Sequence, residues 1–227
     1  MTYRSPEEVE QQYLEACGPT LGPLLSRLVG ECTRLHWKWG DYVELYGTRP
    51  ERIDLLNRAS GAFFRLVQDT LWEDVLLHIA RLTDRPRSVG KDNLTVRRLP
   101  ELVAPEARDV VRALLDQCIR ECEFARDWRM RHLAHRDLSL ALGTGAEPLA
   151  HASRLAVRTA LASIAKLLNA VESHYLNSEL AFDLGGTDGA LELLYVIREG
   201  VEAREKRRAR LLSGNPEPGD LEPPPAV

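Results

Sequence analysis

Between residues 105 and 142 one apolar stripe is interrupted by charge instead of being ended by a turn. Val111, Leu115, Cys118, Cys122 and Ala125 recur at three- and four-residue steps, the spacing that places side chains on one face of an amphipathic helix. The next steps along that face are Arg129, His132, Leu133 and Arg136, with His135 at its edge. A guanidinium is almost never fully buried unless it is paired. The stripe must therefore leave the core at Arg129 and enter a cleft, a polar network or a subunit contact.

The rest of the chain is helical in pattern as well. A segment at 6–17 opens with Ser5, Pro6, Glu7 and Glu8: a capping side chain, a proline at the first helical position and acids at the positive end of the dipole. Gly18 and Pro19 break it, and a second helix is expected over 20–46. Trp37, Trp39, Tyr42 and Tyr46 cluster there as packing residues, because only Lys38 supplies the interleaved charge of a base-stacking platform. A third helix runs over 50–82, with Phe64, Val67, Leu71, Val75, Ile79 and Leu82 on its stripe and His78 on the same face. A polar, basic loop at 84–93 and a short helix at 94–99, stopped by Pro100, lead to the 105–142 helix, which ends at Gly143 and Gly145. Val157, Leu161, Ile164, Leu168, Val171 and Tyr175 mark a helix over 148–178. Gly185 and Gly186 precede a last helix at 188–212, whose charged end is expected to be solvated.

This pattern predicts an all-α bundle of about four long helices, at 20–46, 50–82, 105–142 and 148–178, with peripheral N- and C-terminal helices. The organisation expected is a helical bundle over 1–183 (core about 50–180), a charged helix over 184–212 and a disordered proline-rich tail over 213–227. No strand pair, internal repeat or glycine-rich phosphate loop is expected.

A chain of 227 residues with 44% hydrophobic and 28% charged residues fits one globular domain with appendages. A net charge of −4 gives no global basic field, which argues against a protein that coats long duplex but leaves room for a local basic cleft. No apolar run approaches the ~20 residues that span a bilayer, and the N-terminus lacks a secretory h-region. A cytoplasmic protein without membrane contact is expected. Cys17, Cys32, Cys118 and Cys122 form no CxxC and are expected to be small buried hydrophobes, not zinc ligands. His78, alone on an apolar face, is expected to be a satisfied core residue.

The segment from Trp128 to Asp137, Trp-Arg-Met-Arg-His-Leu-Ala-His-Arg-Asp, resembles the signature of the HEPN superfamily: an arginine, four to six residues, then a histidine. Arg129 and His135 fit it with five residues between them. The flanking residues, and the stretch Ile79-Ala-Arg-Leu-Thr-Asp84, are similar to the abortive-infection branch of the AbiU type, over about 50–180. Two positions depart from the superfamily. Met130 stands where many members carry a polar residue, and Leu138 stands where toxins regulated by nucleotide transfer carry a tyrosine. The resemblance implies a metal-independent endoribonuclease in phage defence or a toxin system. It also implies a homodimer with both motif copies in one composite cleft. RNA is then the substrate or ligand, and an antitoxin or regulatory protein is a candidate partner.

The chemistry supports the same residues. Cleavage of RNA by its own 2′-hydroxyl needs proton transfer and positive charge on the phosphate. A histidine titrates near neutrality, and an arginine offers a permanently charged fork. No cofactor or metal is required. Arg129 and His135 are the expected catalytic pair, with His132, Arg131 and Arg136 supporting or contacting RNA. At ~100° per residue the pair stands about 120° apart on a straight helix, so a kink or a partner subunit must bring them together. Three alternatives stay open. Arg129 can be a structural ion pair, with Asp74 or Glu73 as its acid; the fold can be a non-catalytic RNA-binding or protein-interaction module; or His36, His78 and the cysteines can form a small-molecule or metal site.

Overall fold

A computed structural model describes residues 5–184 and 189–222. The fold is all-α, as the periodicity predicts. Its helices are α1 (Pro6–Tyr46), α2 (Pro50–Leu82), α3 (Leu99–Leu102), α4 (Pro105–Trp128), α5 (Leu138–Leu142), α6 (Arg154–Leu176) and α7 (Gly189–Leu212). The chain divides into two compact units, residues 1–39 with 71–186 and residues 40–70 with 187–227.

The first unit holds the apolar stripe of α4. Val111, Leu115, Cys118, Cys122 and Ala125 of α4 are all buried. They share one core with Leu25, Leu28 and Leu35 of α1, Val75, Leu76 and Ile79 of α2, and Ile164, Leu168 and Val171 of α6. Each such leucine contributes on the order of 1.5–3 kcal/mol relative to its exposed state. The ends of α1 and α6 follow their expected chemistry. Ser5 and Glu8 form a reciprocal capping box, Ser5 N–H donating to Glu8 Oε2 at 2.7 Å and Glu8 N–H to Ser5 Oγ at 3.3 Å. Ser153 caps α6 by accepting from Ala156 N–H at 3.1 Å, and Asn177 ends it at φ 49°. The expected break at Gly18 is present within α1, at φ 78° and ψ 175°.

Four expectations about this unit need correction. The single helix over 105–142 is not continuous: α4 stops at Trp128, residues Arg129–Leu133 form a π turn, and α5 begins only at Leu138. The helix expected from 148 starts at Arg154, because Ser153 supplies the cap. Pro100 does not stop a helix but lies in the first turn of α3, where the missing N–H costs nothing; the turn before it is a 3-10 helix, Val96–Arg98. The two helices expected at 6–17 and 20–46 are the two limbs of α1, parted at Gly18, with Pro19 and Pro23 in the first turns of the second limb. Finally, the 84–93 loop contains a minimal hairpin in which β1 (Arg87–Ser88) pairs antiparallel with β2 (Lys91–Asp92). Its two-residue turn places Val89 at φ 48° and Gly90 at φ 77°, the primed geometry of tight hairpins.

The second unit has its own buried residues: Tyr42, Leu45, Leu55, Leu56, Ala190, Leu194 and Val201. Tyr42 and Tyr46 pack together at 5.6 Å between ring centres, and the Tyr46 hydroxyl donates to the Phe64 carbonyl at 2.9 Å, so these aromatics are packing residues as expected. Trp39 of the first unit packs on Trp72 at 6.3 Å, whereas Trp37 is exposed. The α2 helix breaks at Ser60, with φ −164° and ψ 83°. Arg204 donates to the carbonyls of Arg58 and Ala59 beside this break, which satisfies acceptors that an intact helix would have used itself. The charged end of α7 is therefore more than a solvated face. Glu205 pairs with Arg58 at 2.5 Å, and Arg210 pairs with Asp220 at 2.7 Å. Residues 213–222 turn around Asp220; Gly185, Gly186 and the Pro223–Pro225 triplet of the expected tail lie outside the described residues.

Candidate functional site: the cleft at Arg129

The cleft begins with a helix that changes pitch. In the π turn Ala134 N–H donates to the Arg129 carbonyl at 2.9 Å. Such a turn closes over more residues than an α turn and is common at functional sites. Asp137 then caps α5, its Oδ1 accepting from Leu140 N–H at 3.0 Å and from Ser139 Oγ at 2.6 Å. The helix is therefore broken over residues 129–137.

Arg129 is half-buried, with its side chain 31% exposed. Its Nη1 donates to Asp84 Oδ2 at 2.5 Å, and the Asp84 side chain is 13% exposed. The acid that meets Arg129 is thus Asp84, and not the expected Asp74 or Glu73. Asp74 instead pairs with Lys38 at 2.5 Å, and Glu73 lies 3.8 Å from His132 Nε2. The chain reversal after Leu82 is what carries Asp84 to the π turn.

Arg129 and Asp84 line a cleft of about 340 Å³ with Glu31, His78, Arg81 and Asn93. His78 is buried. Its Nε2 lies 2.8 Å from Glu31 Oε2 and its Nδ1 3.5 Å from Lys38 Nζ. Burial, and then the Lys38 ammonium, push its pKa below the ordinary histidine value. His78 is thus a buried core residue as expected, but it is not fully satisfied: its Nε2 lies near Glu31 without forming a hydrogen bond. Asp84 is fixed by the loop that carries it: its Oδ1 accepts from Arg85 N–H at 2.9 Å, and its carbonyl accepts from buried Thr95 Oγ1 at 2.7 Å.

The other expected site residues are spread around the kink. His135 is exposed and has no hydrogen-bond or ion-pair partner among the described residues. His132 packs edge-on against Trp128 at 5.4 Å. Arg131 donates to Asp127 at 3.3 Å and to the carbonyls of Glu147 and Pro148, so it tethers the strand of chain that enters α6. Trp128 Nε1 and Asp127 hold the same chain at Ala150, both at 2.8 Å. Arg136 is exposed and borders a hollow of about 180 Å³ with His132 and Asp137. Within one chain the kink thus gathers Arg129 with Asp84 on one side and leaves His135 and Arg136 facing outward.

A family model described as AbiU2, of the HEPN type, matches residues 19–194. The chain belongs to the AbiU2 HEPN family. The match starts within α1 and ends within α7, so this AbiU2 member carries the family pattern over more than the 50–180 span that the motifs suggested. No curated protein and no solved structure matches the chain. Both stretches that carried the resemblance, Ile79–Asp84 and Trp128–Asp137, meet at the Arg129–Asp84 pair of this AbiU2 member.

Two further features lie away from the motif. A cavity of about 840 Å³ is lined by His36, Trp39, Leu161 and Phe182 together with Arg158 and Lys166. His36 stacks on Phe182 at 5.5 Å, and burial lowers its pKa. Cys32, Cys118 and Cys122 are buried free thiols and Cys17 is half-buried. No helix among the described residues is long and apolar enough to cross a membrane.

Proposed function

We propose that this protein is a metal-independent endoribonuclease of the HEPN type, acting in phage defence or as a toxin. Arg129 and His135 are its catalytic pair, and two protomers supply them to one composite cleft. The observation that carries the reading is the half-exposed guanidinium of Arg129 at the wall of a cleft, oriented by Asp84 where α4 gives way to a π turn. Arg129 holds the scissile phosphate and stabilises the charge that develops on it. The ribose 2′-hydroxyl attacks phosphorus as its proton leaves to one His135. The 5′-oxygen departs with a proton from the other His135, giving a 2′,3′-cyclic phosphate. One protomer presents His135 outward without a partner among the described residues, which suits a site completed by a second copy. His132, Arg131 and Arg136 border it; Arg131 supports the fold of the kink and Arg136 meets RNA.

The test is cleavage of total RNA with chelator present. Arg129→Ala and His135→Ala each abolish cutting without altering the helical circular dichroism spectrum, and His132→Ala is milder. Arg129→Lys remains poor, because an ammonium is a point charge and not a fork. DNA is not cut. Equal cutting by wild type and His135→Ala would place the activity elsewhere. A second reading, a non-catalytic RNA-binding module, is favoured by the existing Arg129–Asp84 ion pair; RNA retained by a wild type that never cuts it would establish that reading.

A further inference from the structure

The ionic groups around the Arg129 cleft are unevenly spent. The Glu31 carboxylate meets both Arg34 and His78. Asp84 meets Arg129 through Nη1 alone, and Arg129 Nε and Nη2 make no hydrogen bond among the described residues. Arg81 is exposed, lines the same cleft, and has no ion-pair or hydrogen-bond partner among the described residues. The cleft therefore presents one uncommitted guanidinium and the free edge of a second. Each is a fork that matches the oxygens of a phosphate. Asp84 is paired with Arg129 and Glu31 with Arg34, which leaves Arg81 as the uncompensated charge that an anion entering the cleft meets.

The scaffold explains why the two forks can act together. Arg81 and Asp84 are three residues apart at the end of α2. Thr83 Oγ1 donates to the Ile79 carbonyl at 2.9 Å, and Thr95 Oγ1 donates to the Leu82 carbonyl at 2.9 Å. Arg97 Nε closes the same turn on the Thr83 carbonyl at 2.8 Å. These bonds fix the turn that presents Arg81 to the cleft and Asp84 to Arg129.

We propose that Arg81 is a second phosphate-contacting residue and that Asp84 is the positioning residue for Arg129. The cleft then seats one phosphodiester of a single-stranded RNA beside the scissile one. The proposal rests on the ribonuclease reading for its substrate and adds to it two residues outside the Arg129–His135 pair. Arg81 acts by direct contact. Asp84 acts through Arg129, holding Nη1 so that Nε and Nη2 face the substrate.

The experiment titrates a fluorescent single-stranded oligoribonucleotide against full-length wild type, Arg81→Gln, Arg81→Lys, Asp84→Asn and Asp84→Glu over a range of salt, and follows cleavage by the same proteins. Arg81→Gln weakens binding about tenfold and lowers the log–log salt slope by ~0.7, the loss of one single-strand phosphate contact. Arg81→Lys keeps the slope and regains part of the affinity. Its melting temperature is unchanged, because Arg81 is exposed. Loss of a negative charge alone would tighten RNA binding by Asp84→Asn. A positioning role instead lowers kcat at least tenfold with KM unchanged or reduced, and Asp84→Glu restores part of it. Unchanged affinity and slope in Arg81→Gln, or unchanged kcat in Asp84→Asn, overturns this proposal while leaving the nuclease reading intact. A wild type that binds RNA without cutting it overturns the Asp84 half, and one that does neither overturns both.

Discussion

The clearest departures from ordinary residue chemistry in this protein are buried, not exposed. Glu172 of α6 is 2% exposed, and its Oε1 has no hydrogen-bond partner. Ser178 Oγ donates to its Oε2 at 3.3 Å, and the Tyr13 hydroxyl bonds the same carboxyl group. Burial pushes its pKa up, and the Tyr13 and Ser178 bonds only partly offset this. A raised carboxyl pKa contributes stability below the ordinary carboxylate range and loses it as pH rises through the folded value. Above the ordinary carboxylate range the fold therefore bears a cost, either to ionise this buried group or to hold its proton. Glu172→Gln is expected to raise the melting temperature at about pH 8 by a few degrees, the effect of roughly 1 kcal/mol in a chain of this size. No such gain is expected at about pH 4, where the carboxyl is already protonated. Thermal melts at the two pH values decide it; an equal gain at both would mean that packing, not charge, is the cause. His36 and His78 have pKa values lowered first by burial.

Single elements depend on backbone geometry that their residues suit to different degrees. Val89 lies at φ 48° and is fully exposed at the tip of the β1–β2 hairpin. A β-branched side chain is a poor occupant of that region, whereas asparagine followed by glycine is the preferred pair for this turn. Val89→Asn is expected to stabilise the protein by about 0.5–1 kcal/mol, seen as a higher urea midpoint with an unchanged slope. Gly22 fails in the other direction. A Cβ there would come within 2.5 Å of the Tyr13 carbonyl oxygen and 2.8 Å of the Leu14 Cα. The bend at Gly18 folds the first limb of α1 against this position, so the contact is backbone on backbone. Gly22→Ala is expected to cost on the order of 1–3 kcal/mol, read as a lower urea midpoint; an unaffected midpoint would show that the first limb shifts freely.

At the scale of the whole molecule, assembly decides between a nuclease and a binding module. One protomer offers a single His135, and one histidine cannot readily serve as acid and base on opposite sides of one phosphorus. A permanent dimer with the motif kinks near its two-fold axis would bury about 1,600 Å² in total. Light scattering at micromolar protein is expected to give twice the mass of the chain. Mixing inactive Arg129→Ala with inactive His135→Ala protein then tests the cleft directly. A site that draws both residues from each protomer recovers little activity, whereas one pairing Arg129 of one protomer with His135 of the other recovers a fraction of it. A strict monomer would favour the module.

The α4 stripe shows how far the amino-acid order reaches. Val111 to Ala125 could be read as core from spacing alone, because burial of one helix face follows from a local 3.6-residue period. The emergence of Arg129 from that core was equally legible, since no packing arrangement tolerates an unpaired buried guanidinium. The caps at Ser5 and Gly143 and the break at Gly18 were legible for the same local reason. The identity of the acid that meets Arg129 was not. Asp84 and Arg129 are 45 residues apart, and their meeting depends on the turn after Leu82, the hydrogen bonds of Thr95 and the packing of α4 against α2 and α6. Nor was the π turn legible: its residues, Arg-Met-Arg-His-Leu, continue the helical period without a breaker. Local spacing determined which residues leave the core. The tertiary structure alone decided which of them meet, because that depends on long-range closure of the chain.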